Sequence, residues 1–364
     1  MVTVRIADAR LDAVAERFAA FVAAGEEPGA SLSVWRGGRP LLEAWGGHRD
    51  AARTAPWTAD TLAMTYSVGK PLAALGALLA VRAGQVTLDD PVTTWWPAYG
   101  AHGKRATTLR HVLSHTAAVP AFPASVAGAD PLDKEALTSA LAAAEPIGVP
   151  GTVIAEHALT YGHLIDGVLA AAGAPSVREA VAGLGSRLGA DLWFGVPDER
   201  LADVADLEIT TTAWVEPYLE RDLPRRALTV PRGRLDPAHT NSADARRASF
   251  PADGLFTSAS ALARFYDDAS RSTGVVAGML GEELWREYLR AQATGEDAFV
   301  GGEASWSLGF RVDPGEFGMG GLGGSCAWHS FTDDYSFAYV TRGLGTFDRV
   351  DALEPLVNAA LGAG

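Results

Sequence analysis

The chain has 364 residues, a net charge of −14 and a composition that is 48 % hydrophobic and 20 % charged. That balance excludes an intrinsically disordered chain. The acidic surplus argues against nucleic acid or an anionic membrane as partner, because both require a basic surface. A single cysteine, Cys326, excludes an intrachain disulfide and a cysteine-built metal site, and no metal or cofactor is expected. The length allows roughly two domains; oligomeric state is not legible.

The opening stretch Met1–Gly25 carries acidic residues every few positions and reads as an amphipathic helix rather than a signal sequence. Within it, Leu11, Val14, Phe18, Phe21 and Val22 have helical spacing over residues 8–24. Ala30–Trp35 and Arg39–Trp45 flank Arg36-Gly37-Gly38 and predict a β-hairpin. Ser67–Ala83 predicts a long buried helix with Pro71 tolerated in its first turn and Gly84 as C-cap. From about 85 to 240 helices and loops are expected, without clear strands. Thr107–His115, Asp133–Ala144 and Ser176–Leu188 are the helices that open on a capping residue type. Residues 209–250 read as a long connection. Ser258–Ala269 predicts a helix, Trp306–Val312, Cys326–Ser330 and Tyr335–Thr341 predict strands, and Asp351–Leu361 a closing helix. No run reaches the ~18 apolar residues of a membrane span; Pro71–Val81 is too short, and the expected location is the cytoplasm. The pattern predicts an α+β fold. One antiparallel sheet is assembled from both ends of the chain, flanked by N- and C-terminal helices, with an inserted all-helical domain beside it. The expected division is 1–66 with 250–364 for the sheet domain and 67–249 for the helical one.

Three local signals carry candidate chemistry. In Ser67-Val68-Gly69-Lys70 the serine and lysine stand at i, i+3, on one face of a helix. A serine hydroxyl is a weak nucleophile, and an amine that takes its proton activates it. A helix N-terminus beside that serine favours a developing oxyanion. Lys70 also sits in an otherwise apolar stretch, and a buried lysine needs a reason. In Tyr161-Gly162-His163 the tyrosine is a candidate base if a cation such as Lys70 lowers its pKa; taken alone it is more often a packed aromatic. The glycine-rich run Phe317–Ser325 implies a close approach to the backbone. It contains G-x-G-x-x-G at Gly318, Gly320 and Gly323, but strands rather than a helix follow, so the dinucleotide reading fails. His111 and His115 lack the glutamate of a zincin, Gly103-Lys104 lacks the frame of a P-loop, and no G-x-S-x-G elbow occurs.

In this order and at these intervals the three signals resemble the serine β-lactamase and penicillin-binding protein superfamily. The likeness is nearest to class C β-lactamases and family VIII carboxylesterases. Leu113-Ser114-His115-Thr116-Ala117, His157–Gly162 and Pro251-Ala252-Asp253-Gly254 fit the same group, and the likeness runs from about 28 to 345. The resemblance implies a β-lactamase/transpeptidase-like fold with the active site between its two parts. It implies that Ser67 is acylated, that Lys70 is its proton partner and that Tyr161 is the second base. The backbone N–H groups of Ser67 and Leu322 would form the oxyanion hole. His163, Met319, Gly320 and Gly321 would contact substrate. Two departures stand out. His163 replaces an Asn or Ser, and Met319-Gly320-Gly321 replaces Lys-Thr-Gly or His-x-Gly. Methionine donates no hydrogen bond, and nothing in the sequence places Arg311, on the preceding predicted strand, in the site. The expected substrate is therefore a neutral ester or amide, and the expected activity an esterase-type serine hydrolase. The alternatives are a transacylase passing the acyl group to an amine or alcohol in natural-product biosynthesis, a β-lactamase, and a non-catalytic binding protein.

Overall fold

In the computed structural model, which describes residues 2–362, nine strands form one antiparallel sheet. The start of the chain supplies β1 (Val2–Ile6), β2 (Gly29–Arg36) and β3 (Arg39–Gly47). The end supplies β4 (Ala293–Asp297), β5 (Gly302–Trp306), β6 (Arg311–Asp313), β7 (Glu316–Gly320), β8 (Cys326–Ser330) and β9 (Tyr335–Thr341). The order is β1-β3-β2-β9-β8-β7-β6-β5-β4. The two ends of the chain thus join at β2 and β9, with Ser33 opposite Ala338. The helices that matter below are α1 (Asp12–Ala24), α2 (Lys70–Arg82), α3 (Thr160–Ala171), α4 (Ala259–Ala269) and α5 (Asp348–Leu361). This is the α+β, β-lactamase/transpeptidase-like fold that the sequence pattern and the resemblance led us to expect. Among the described residues no helix is long and apolar enough to cross a membrane.

The central strand β9 shows why the sheet carries helices on both faces. All seven of its residues are buried, and its side chains alternate between two cores. Tyr335, Phe337 and Tyr339 join Phe18 and Phe21 of α1 and Leu353 and Val357 of α5. Ala338 and Val340 join the core that contains Leu262 and Phe265 of α4 and the apolar face of α2. A buried ion pair ties the two terminal helices together. Glu27, just after α1, bonds Arg349 of α5 at 2.6 Å and also accepts from Tyr339 Oη at 2.7 Å and Thr341 Oγ1 at 2.9 Å. Burial raises the Glu27 carboxyl above its usual range, and Arg349 opposes that shift.

The structure departs from the sequence reading at several places. Val2–Ile6 is an exposed edge strand paired to β3 and not the start of a helix; its β-branched residues, all but Arg5, suit that role. The single strand expected over Trp306–Val312 is two, broken by a turn in which Ser307 N–H donates to Phe310 O and Gly309 adopts φ 115°. Strand β7 lies within the glycine-rich run, and β4 has no counterpart in the sequence reading. Within the supposedly strandless middle, Leu192–Phe194 joins Ala63–Met64 and Leu255–Thr257 in a small sheet. The supposed connection 209–250 is folded into short helices, among them Glu216–Leu219 and Asp222–Thr229.

Arg349→Ala leaves the fully buried Glu27 without its cation. We expect a loss of about 3–5 kcal/mol in urea unfolding. The double variant Glu27→Gln, Arg349→Met should recover much of it, because no buried charge is then left unpaired.

Candidate active site

Ser67 opens α2 through one 3-10 turn, Ser67–Gly69. Its approach is set by the small sheet, in which Thr65 N–H donates to Leu255 O at 2.9 Å. Tyr66 then turns the chain with φ 49° and ψ −131°, a conformation that costs of order 1–3 kcal/mol in a non-glycine residue. The ring of Tyr66 is what holds it there. It is 3 % exposed, it lies 5.9 Å from the Trp214 ring, and its hydroxyl donates to Arg234 O at 3.3 Å. As the first helical residue, Ser67 has a backbone N–H without an intrahelical acceptor.

Lys70 is wholly buried in the first turn of α2. Its Nζ donates to Ser67 Oγ at 2.5 Å and to Glu156 Oε1 at 2.9 Å. A buried ammonium needs an opposite charge and further hydrogen bonds, and these two partners supply both. Glu156 precedes α3 on an irregular segment, and its position is built from below. Asp297, at the end of β4 and fully buried, accepts from the backbone N–H of Glu156 (3.1 Å), Phe299 (2.8 Å) and Val300 (2.9 Å) through Oδ1. Its Oδ2 accepts from Trp306 Nε1 at 2.9 Å. Next to Glu156, His157 N–H donates to His115 Nδ1 at 3.1 Å, and Val119 N–H donates to His157 Nε2 at 3.2 Å.

The site opens into a cavity of about 200 Å³. Ser67 and Glu156 face it from one side. Met319, Gly320, Gly321 and Leu322 border it from the end of β7, and Tyr218, Leu228 and Phe299 add apolar wall. The glycines let β7 come in close. A Cβ on Gly321 would stand 2.0 Å from Thr65 O and 3.0 Å from Val68 Cγ2. What approaches this backbone is therefore the protein's own turn before Ser67.

The structure does not bring every expected residue here. Tyr161 is fully buried in α3, its hydroxyl donates to Leu113 O at 3.1 Å, and its ring packs 4.7 Å from His115. Burial pushes its phenol well above the ordinary value, the reverse of what a base needs, and it does not border the cavity. The expected second base is thus a core residue, and Glu156 stands at Lys70 instead. His163 is buried edge-on to Phe122, 5.1 Å between ring centres, and does not border the cavity either. Arg311 does. The register of β6 sets it opposite Gly318 of β7 and Trp306 of β5, and it lines the wall. Sequence reasoning missed Glu156, Asp297 and Tyr218. The one signal for Glu156 was indirect: a lysine in an apolar helix requires a carboxylate, without saying which.

Against this geometry the comparisons fall into place. The Beta-lactamase family model matches residues 14–361, and the chain belongs to the β-lactamase family. It is 30 % identical to the esterase/β-lactamase LipL of Mycobacterium tuberculosis, over 92 % of this chain and 81 % of LipL. A penicillin-binding protein homologue from Caulobacter crescentus superposes with a TM-score of 0.84 at 28 % identity, covering 99 % of this chain and 100 % of the other. A family VIII carboxylesterase gives the same TM-score and the same coverage at 24 % identity, a likeness of fold. The family places this chain among the β-lactamase-fold serine hydrolases.

Two outcomes follow from the site's surroundings. Gly321→Ala should lower kcat/KM for an ester substrate at least about tenfold, because the chain at Gly321 and the turn before Ser67 cannot both keep their places. The second concerns pH. Burial holds His157 down at about 4, His163 at about 3 and His115 well below 6.5. In the unfolded chain each takes up a proton near pH 6.5, so the unfolded state binds more protons below that value. Stability should be level above pH 7 and fall between pH 6.5 and 5, by about 1.4 kcal/mol per pH unit for each histidine. Urea titrations at pH 7, 6 and 5 measure this, and His163→Leu should make the slope shallower.

Proposed function

We propose that the protein is an esterase-type hydrolase that forms an acyl-enzyme on Ser67 from a small neutral ester. The observation that supports this best is the buried Lys70 ammonium, hydrogen-bonded at once to Ser67 Oγ and to the Glu156 carboxylate, two residues that border a largely apolar cavity. In this reading Ser67 Oγ attacks the ester carbonyl. Its proton passes to Lys70 as Lys70 yields one to Glu156, and that proton is returned to the departing alcohol. The N–H groups of Ser67 and Leu322 receive the oxyanion. LipL, whose name pairs esterase with β-lactamase, supports the hydrolase reading.

The charge of the substrate is argued from pairing. Two cations border the site and both have partners. Lys70 has Glu156 at 2.9 Å. Arg311 has Asp313 at 3.7 Å through Nε, and its Nη2 donates to Glu303 O at 3.2 Å. Met319 supplies no third cation. A substrate carboxylate at Lys70 would have to displace Glu156 from a buried pair, whereas at Arg311 it would compete with Asp313 in a pair partly open to water, where the gain is small. The net charge of −14 adds repulsion at long range.

Ser67→Ala should abolish turnover of p-nitrophenyl esters and any acyl adduct on intact protein. An adduct on another peptide, or persistent activity, overturns the assignment. Neutral methyl esters should exceed their carboxylate-bearing analogues in kcat/KM by at least about tenfold at pH 8. A preference for the acid would show that Arg311 exchanges Asp313 for substrate.

A further inference from the structure

We infer that Glu156, beyond receiving the proton that Lys70 yields in acylation, is the base that takes the proton of the deacylating water. The inference rests on Ser67 being the acylated residue, as proposed above. Lys70 has no solvent exposure, and its Nζ is bonded to Ser67 Oγ and Glu156 Oε1. Once Ser67 carries an acyl group, Lys70 lies walled in behind it. Glu156 is placed differently. Its side chain keeps 12 % exposure and borders the cavity beside Ser67. Oε1 receives Lys70, and Oε2 has no hydrogen-bond partner among the described residues. A water entering beside the acyl group therefore meets a free carboxylate oxygen and no amine.

The other titratable groups around the cavity do not compete. Tyr218 is a donor, because burial and the Glu156 carboxylate both keep its phenol protonated. Asp297 already accepts four bonds from Glu156, Phe299, Val300 and Trp306. His115 and His157 lie buried behind Glu156, each with one ring nitrogen accepting a backbone N–H. Arg311 is a cation that cannot accept a proton.

The step balances on these residues. Water gives its proton to Glu156 Oε2 as its oxygen bonds the acyl carbon. The tetrahedral intermediate collapses by breaking the bond to Ser67 Oγ. The serine oxygen takes a proton from Lys70, and Glu156, its carboxyl turned so that the protonated oxygen takes the place of Oε1 at Lys70, 2.9 Å away, supplies the replacement. One water is consumed, one carboxylic acid leaves, and all three side chains regain their starting protonation.

The test is Glu156→Gln, which keeps the shape and an acceptor for Lys70 but cannot take a proton. Without its counter-charge the buried Lys70 favours the free amine, which serves acylation. With p-nitrophenyl butyrate we expect a burst of about one equivalent of p-nitrophenol, followed by a steady state lowered at least about 10²-fold. The acyl adduct should persist on the Ser67 peptide, and hydroxylamine, which needs no base, should discharge it. Glu156→Asp keeps the charge but withdraws the oxygen. It should retain the burst and turn over faster than Glu156→Gln and slower than wild type, which also serves if the glutamine variant fails to fold. A steady-state rate near wild type overturns the inference. So does loss of the burst in a variant with unchanged Tm, since Glu156 would then act in acylation alone. An adduct on a peptide without Ser67 overturns the underlying reading instead.

Discussion

An ammonium group sealed from water is stable only where the chain surrounds it with compensating charge and acceptors, and the active site of this protein is organised around that demand. Lys70 enters the interior on the first turn of an apolar helix. It can stay charged there because Ser67 Oγ and Glu156 Oε1 both lie within hydrogen-bonding distance. Each partner comes from a different part of the fold. Ser67 is delivered by the small three-stranded sheet and the strained turn at Tyr66. Glu156 is delivered by an irregular segment fastened to Asp297, and Asp297 belongs to the edge of the nine-stranded sheet. Removing any of these supports moves the carboxylate or the serine away from a charge that cannot move to water.

The same demand explains what was legible in the sequence. Ser67 and Lys70 are three residues apart on one helix, so local geometry alone brings them together. The hairpin and strands β8 and β9 were legible because short apolar runs with a two-residue alternation of side chains mark the two faces of a strand. The helix starts at Asp133, Ser176 and Ser258 were legible because their side chains accept the first free N–H groups. Glu156 carries no such local mark. It lies 86 residues from Lys70 on a stretch without periodicity, and its place is fixed by Asp297, a further 141 residues on. Tyr161 was an attractive candidate because it opens a helix near a family-like motif. Which face of that helix meets Lys70 is decided by packing against Leu113 and His115, and that packing turns the phenol inward. Strand β7 runs into the glycine-rich stretch that was read as a close approach, and the approach is made just beyond the strand, where Gly321 lacks a Cβ.

Arg311 and residues 209–250 show a second kind of illegibility. The position of Arg311 in the wall follows from a register, opposite Gly318 on one side and Trp306 on the other, and register depends on a turn at Gly309 that split an apparently continuous strand. The segment 209–250 lacks the length of apolar periodicity that marks a stable isolated helix. Its pieces persist because single residues are anchored. The Trp214 ring lies against Tyr66, and the Arg234 side chain bonds the Asp253 carboxylate at 2.8 Å while its carbonyl receives the Tyr66 hydroxyl. The segment that lines the cavity thus also helps to hold the strained turn before Ser67.

Strain and charge are in this way balanced against each other at one point. Tyr66 is held in an unfavourable conformation by its ring and hydroxyl contacts, and that conformation aims Ser67 at the cavity. Gly321 lets the backbone just beyond β7 come against Thr65 and Val68, on either side of Tyr66 in sequence. With both sides fixed, the Ser67–Lys70–Glu156 distances would not have to adjust if the serine changes from hydroxyl to ester, as proposed above. A relay whose donors and acceptors are already in place needs little reorganisation at the moment of proton transfer, which is where a preorganised site gains over water. The energetic cost of that arrangement is carried by Tyr66 and Lys70 in the resting protein, and the nine-stranded sheet with its helices on both faces supplies the stability that tolerates it.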